Sequence, residues 1–119
     1  MILALDHVQV AIPAGGEDAA RAFYETLLGM TEVEKPVALA VRGGCWFSAG
    51  SAVLHLGVEE PFAPARKAHP AFLVTELDAL LDSLTGAGHD CVRADGEIPG
   101  LLRFHTFDPF GNRIEFQQA

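Results

Sequence analysis

Residues 69–74, HPAFLV, restart a pattern that opens the chain with ALDHVQVAI at residues 4–12. In the first stretch Val8, Val10 and Ile12 alternate with His7 and Gln9, the period of two that marks a strand. A helical pattern follows from Glu17 to Leu28, with Ala20, Phe23, Leu27 and Leu28 on one side and Gly29 as its stop. Strand-like runs then occupy 37–42 (VALAVR), 45–48 (CWFS) and 52–58 (AVLHLGV), broken by Gly43-Gly44 and Gly50. The Pro-containing stretch EEPFAPARK (59–67) reads as a connector. After HPAFLV the order repeats. Leu77, Leu80, Leu81 and Leu84 stand at helical spacing within 76–84, with Gly86 or Gly88 to end the helix. Runs at 91–93, 101–107 and 112–117 supply strands, the last two joined by the turn Asp108-Pro109-Phe110-Gly111-Asn112. The sequence predicts an α+β fold of two βαβββ modules in one domain: module one at 1–58, the connector at 59–67 and module two at 68–119.

Four polar residues recur at matching places in the two halves. His7 and His69 lie in the first strand of each copy, and His55 and Glu115 in the last. The intervals agree closely, 48 residues from His7 to His55 and 46 from His69 to Glu115. In each strand the neighbours form the apolar face: Val8, Val10 and Ile12; Leu54, Leu56 and Val58; Pro70, Phe72 and Val74; Ile114 and Phe116. Helices covering that face leave all four polar side chains on the other. A single His on a strand is more often hydrogen-bonded or solvated than a ligand. Three imidazoles and a carboxylate sharing one side together point to a divalent metal site.

Composition narrows the partners. The 119 residues are 50% hydrophobic and 20% charged, and mean hydropathy is +0.23, which excludes disorder, collagen and coiled coil. Sixteen acidic against eight basic residues leave a net charge of −8, a field that repels phosphate backbones and argues against nucleic acid. No apolar run reaches the roughly 20 residues of a membrane helix, and Asp6 and His7 interrupt the start too early for a signal peptide. Cys45 and Cys91 form no CxxC and read as filler thiols in a reduced, cytoplasmic compartment. No GxxxxGK[ST], GxSxG or strand-following GxGxxG is present.

Over nearly its whole length the chain resembles the vicinal oxygen chelate superfamily: glyoxalase I, fosfomycin-resistance enzymes, bleomycin-resistance proteins, methylmalonyl-CoA epimerase and extradiol dioxygenases. The resemblance rests on LDHVQVAI (5–12), RAFYETLLGM (21–30), VLHLGV (53–58), AHPAFLV (68–74) and FDPFGNRIEF (107–116). It implies two βαβββ modules whose mixed sheets form a cup around one divalent ion (iron, manganese, nickel or zinc). His7, His69 and Glu115 match the family's two-His-one-carboxylate set. His55 falls at a fourth position, where glyoxalase I has a glutamate and the epimerase a glutamine; a histidine there departs from the family and reads as either a fourth ligand or a neutral base. Glu115 resembles a carboxylate that glyoxalase I uses as a base. His105, ten positions before it, falls where fosfomycin enzymes carry a substrate-contacting tyrosine. It reads as a proton donor or substrate contact, or else as a polar rim residue. The chain stops four residues after Glu115, short of the basic segment those enzymes use for the phosphonate, an expectation against fosfomycin as substrate.

The implied activity is that of a metal-dependent lyase, isomerase or dioxygenase acting on a small substrate with adjacent oxygens. The resemblance also implies a homodimer. The rival reading is a metal-free binder of a cationic drug, of the bleomycin-resistance type. Arg42 and Arg103 are candidate substrate clamps and Trp46 a candidate pocket wall, against the plainer readings of surface charge and core packing. Arg66 and Lys67 read as surface charge. His89 reads as a cation at the end of the second helix.

Overall fold

The computed structural model describes residues 1–119. They form two compact units, Met1–Pro64 and Ala65–Ala119, each with its own four-stranded mixed sheet.

Unit one runs β1 (Val8–Ile12), α1 (Glu17–Ala20), a π-helical continuation (Arg21–Leu27), β2 (Thr31–Val33), α2 (Val37–Ala40), β3 (Cys45–Ala49) and β4 (Ala52–Val58). The sheet order is β1-β4-β3-β2, with β1 parallel to β4 and the other pairs antiparallel. Alternation places Val10, Ile12, Cys45, Phe47, Leu54 and Leu56 in the core, with Ala20, Phe23 and Tyr24 of the helical segment also buried. Burying a Leu, Ile or Phe of this kind contributes about 1.5–3 kcal/mol each. The helix follows the expected residues but widens after Ala20: Leu28 N–H bonds Phe23 O five positions back, and adjacent Phe23 and Tyr24 meet edge-to-face at 4.9 Å.

Two expectations need correction here. VALAVR (37–42) is no strand. Pro36 opens a single helical turn, its carbonyl accepting from Leu39 and Ala40 N–H, and Val37 and Val41 are 87% exposed. The missing third strand is β2, whose Glu32 takes Arg21 through two hydrogen bonds. The first strand is also shorter than expected, so His7 immediately precedes β1.

Gly44 closes the α2 loop against β4. It has φ +80°, and a Cβ there would lie 2.0 Å from Leu56 O, so only glycine fits. The loop is tied twice more: Glu17 Oε2 accepts from Gly44 N–H at 3.1 Å, and Lys35 Nζ donates to Gly43 O.

Unit two runs β5 (Ala71–Val74), α3 (Leu77–Gly86), β6 (Val92–Arg93), β7 (Arg103–Phe107) and β8 (Arg113–Gln118), in the order β5-β8-β7-β6. Here too the first strand is parallel to the last and the remaining pairs are antiparallel. Leu77 and Leu84 of α3 are buried, as are Phe104, Thr106, Ile114 and Phe116 on one parity of β7 and β8. The opposite parity carries Arg103, His105, Glu115 and Gln117.

The turn at 108–112 sets that register. Asp108 Oδ1 accepts from Phe110 and Asn112 N–H, both at 2.9 Å, and Asn112 Nδ2 donates to Asp108 Oδ2 at 3.0 Å. Asn112 Oδ1 in turn accepts from Ala65 N–H at 2.9 Å. Asp108 and Asn112 are both buried, so the turn is held from inside.

Candidate metal centre and a groove in unit one

The β7–β8 register pairs His105 with Glu115 and Arg103 with Gln117. Glu115 is only 3% exposed, yet its carboxylate takes four side-chain contacts. Oε1 lies 2.9 Å from His69 Nε2 and 3.0 Å from His105 Nε2. Oε2 accepts from Gln117 Nε2 at 2.6 Å and from an Arg103 guanidinium nitrogen at 3.2 Å. Burial pushes the Glu115 pKa up, but hydrogen bonds from Gln117, His69, Arg103 and His105 outweigh it and hold the carboxyl at about 2. It is a carboxylate at any physiological pH.

His69 reaches this carboxylate from the residues just before β5. Its Nδ1–H donates to Lys67 O at 2.6 Å, which directs Nε2 at Oε1. Two acceptors 2.9 Å apart need a cation between them, either a proton or a metal ion. The donor atoms of His69, His105 and Glu115 all lie within 4.8 Å of one another, a set that could hold a metal ion. The residues therefore fit a divalent ion.

Burial, then the positive charge of Arg113, lowers the His105 pKa from its ordinary value. The neutral ring donates Nε2–H to Glu115. Arg103 is not a free clamp. It bridges Glu115 to Glu97 Oε2, 2.8 Å away, and its Nε is buried without a partner.

In unit one, the cross-strand pair Trp46–His55 stacks with ring centroids 3.8 Å apart and planes 2° from parallel. His7 stacks on His55 at 3.9 Å. His7 Nδ1–H donates to Asp6 Oδ2 at 2.8 Å, the same anchoring through Nδ1 that His69 shows. Burial, then His7, lowers the His55 pKa. Beside this stack is a groove of about 270 Å³ whose lining includes Gln9, Lys35, Leu39, Arg42, Trp46 and Gly57.

Sequence reasoning named His7, His55, His69, His105, Glu115, Arg103, Arg42 and Trp46. The structure groups His7, His55 and Trp46 in unit one, with Arg42 lining the groove beside Trp46. In unit two it groups His69, His105, Glu115 and Arg103. The anchors Asp6, Gln117, Glu97 and the Lys67 carbonyl were not anticipated. Of these, only Gln117 carried a signal, its period-two relation to Glu115. His89 donates through Nδ1 to Phe107 O at 3.2 Å, so it ties strand β7 as well as standing at the end of α3.

A family model for the Glyoxalase/Bleomycin resistance protein/Dioxygenase superfamily matches residues 4–116. The chain belongs to this superfamily. Among solved structures, a Bacillus anthracis protein assigned to the glyoxalase family is 48% identical, with TM-score 0.94 over 100% of this chain and 97% of that one. An integron cassette protein from the metagenome of the Halifax Harbour sewage outfall is 20% identical, with TM-score 0.80 over 99% and 100%. The fosfomycin resistance protein FosX of Listeria monocytogenes is 13% identical, with TM-score 0.80 over 100% and 95%. The last two share the superfamily's fold and carry no more than that. No curated protein matches in sequence. As in the expected fold, the chain is α+β with two mixed sheets, and no helix is long and apolar enough to cross a membrane.

Proposed function

We propose that this superfamily member is a metal-dependent enzyme that chelates a small substrate through adjacent oxygens. One observation carries the reading: His69, its Nδ1–H tied to a backbone carbonyl, presents Nε2 to the buried carboxylate of Glu115. A divalent ion bound by His69 and Glu115 supplies Lewis acidity to those substrate oxygens. Gln117 and Arg103 hold the second carboxylate oxygen in place. His105 carries the mobile proton, because its neutral Nε2–H already bonds the same carboxylate. The resemblance adds His7 and His55 to the ligand set, and the Asp6–His7 bond, which frees His7 Nε2, supports that addition. By the same resemblance the chain is a homodimer, which light scattering would read, and two free cysteines suit a cytoplasmic setting.

Elemental analysis of protein purified without a metal-affinity tag tests the proposal. Wild type is expected to carry about one transition metal per chain, with His69→Ala and Glu115→Ala losing it and His105→Ala keeping it. His7→Ala is expected to lose it as well. Wild type that stays empty after incubation with iron, manganese, nickel and zinc would overturn the proposal and favour a metal-free binding protein.

A further inference from the structure

The groove of unit one has a charge opposite to that of the chain. The protein has twice as many acidic as basic residues, yet no carboxylate lines this recess of about 270 Å³. Its two charged lining residues are Lys35 and Arg42, and neither is in an ion pair. Arg21, Arg93 and Arg103, by contrast, are all held by carboxylates. Lys35 gives one of its three protons to Gly43 O and keeps two. Glu17 Oε2 stands behind the lining residue Gly43, 3.4 Å from where a Cβ there would lie, and is engaged by Gly44 N–H without lining the groove.

The remaining walls are suited to an organic body. The amide of Gln9 packs over Gly57, where a Cβ would meet Gln9 Nε2 at 2.9 Å, so the absent side chain is what gives the amide its seat. Trp46, Leu39 and Val58 supply a smaller apolar surface beside the polar groups, with Leu56 buried behind it. The indole of Trp46 is braced by His55, which fixes that wall. The α2 loop is tied by Lys35 and Glu17, so the cations stand on a preorganised frame. The volume is below the ~300–1,000 Å³ of drug-sized sites, which restricts the occupant to a small molecule.

We propose that this groove binds the oxyanion end of a small organic acid, its head between Lys35, Arg42 and the Gln9 amide and its apolar body against Trp46. The head is a carboxylate or a phosphonate-type group; both present oxygens to the same donors. The assignment goes beyond the metal reading and does not rest on it.

The test uses the full chain stripped of metal with EDTA, so that metal ligation cannot supply the signal. Amide and indole N–H resonances of Gly43, Trp46 and Gly57 are followed by NMR during titration with benzoate, phenylphosphonate, benzamide and benzylamine. Either acid is expected to shift these resonances with affinity in about the millimolar range. Tighter phenylphosphonate binding would assign a phosphonate-type head, tighter benzoate binding a carboxylate. Benzamide and benzylamine are expected to leave the resonances in place. Arg42 is exposed and tolerates replacement, so Arg42→Gln is expected to weaken acid binding at least about tenfold and Arg42→Glu to abolish it. Three results would overturn the proposal: no shift with either acid, unchanged affinity in Arg42→Gln, or benzylamine binding as well as benzoate. An empty metal site alongside acid binding here would remove the metal reading and leave this one standing.

Discussion

His105 and Glu115 face each other across the β7–β8 ladder, with Nε2 3.0 Å from Oε1, and His69 approaches the same oxygen at 2.9 Å. Two imidazole Nε2 atoms thus converge on one carboxylate oxygen, while Gln117 and Arg103 occupy the other. The carboxylate is positioned before any ligand arrives, and this preorganisation has measurable consequences.

Glu115→Gln removes the charge that four donors share and leaves the Arg103 guanidinium with only Glu97. The variant is expected to lose about 1–3 kcal/mol of stability in the metal-free protein at pH 7, as hydrogen bonds to a buried charged group are lost. Urea denaturation of EDTA-treated protein measures it. Equal midpoints would show that the network contributes nothing to folding.

The same carboxylate sets an acid dependence. Its folded-state pKa of about 2 lies below the ordinary 4.5, so its contribution is fully present above pH 4.5 and is lost as pH falls through about 2. The stability gap between wild type and Glu115→Gln should therefore narrow steadily between pH 4.5 and 2. A gap independent of pH across that window would contradict the assignment.

Gly44 is the least replaceable residue of the α2 loop. An alanine Cβ would sit 2.0 Å from Leu56 O in a left-handed backbone, so Gly44→Ala should cost about 3 kcal/mol or more and loosen the groove. Thermal melting checks this against Gly50→Ala, which meets nothing within 4 Å and isolates the backbone cost alone.

The two thiols should react very differently. Cys45 is 1% exposed and burial, with Glu32 adding to it, pushes its pKa up to about 11, whereas Cys91 is partly exposed. At pH 8 a thiol reagent should label Cys91 rapidly and Cys45 only on unfolding. Rapid labelling of both would mean that β3 opens in the native state.

Much of this architecture was legible from alternation. Val10, Ile12, Leu54 and Leu56 announce one buried face, and the matching places of His55 and Glu115 follow from the same parity. VALAVR misled because Val37, Leu39 and Val41 alternate like a strand. Pro36 was the local signal against a strand, and the adjoining loop is held by Lys35 eight residues from Gly43 and by Glu17 from across the unit, a tie that no local pattern carries. Thr31–Val33 was invisible because three residues around a charged Glu32 give too short a period. At the site, His69 and Glu115 were readable from strand position. His105 meets Glu115 because the 108–112 turn fixes the hairpin register, a relation that counting outward from DPFGN gives. Glu97 reaches Arg103 across a loop, and no spacing rule predicts that.

In the proposed metal site His69 ligates a divalent ion through Nε2 while Nδ1–H stays on the Lys67 carbonyl. Nitrogen NMR of protein with 15N-labelled histidine, before and after one equivalent of zinc, reads both nitrogens directly. Nδ1 is expected to stay protonated throughout, and the His69 Nε2 resonance to shift with zinc in the wild type but not in Glu115→Ala. An Nε2 resonance unmoved by stoichiometric zinc would contradict this ligation.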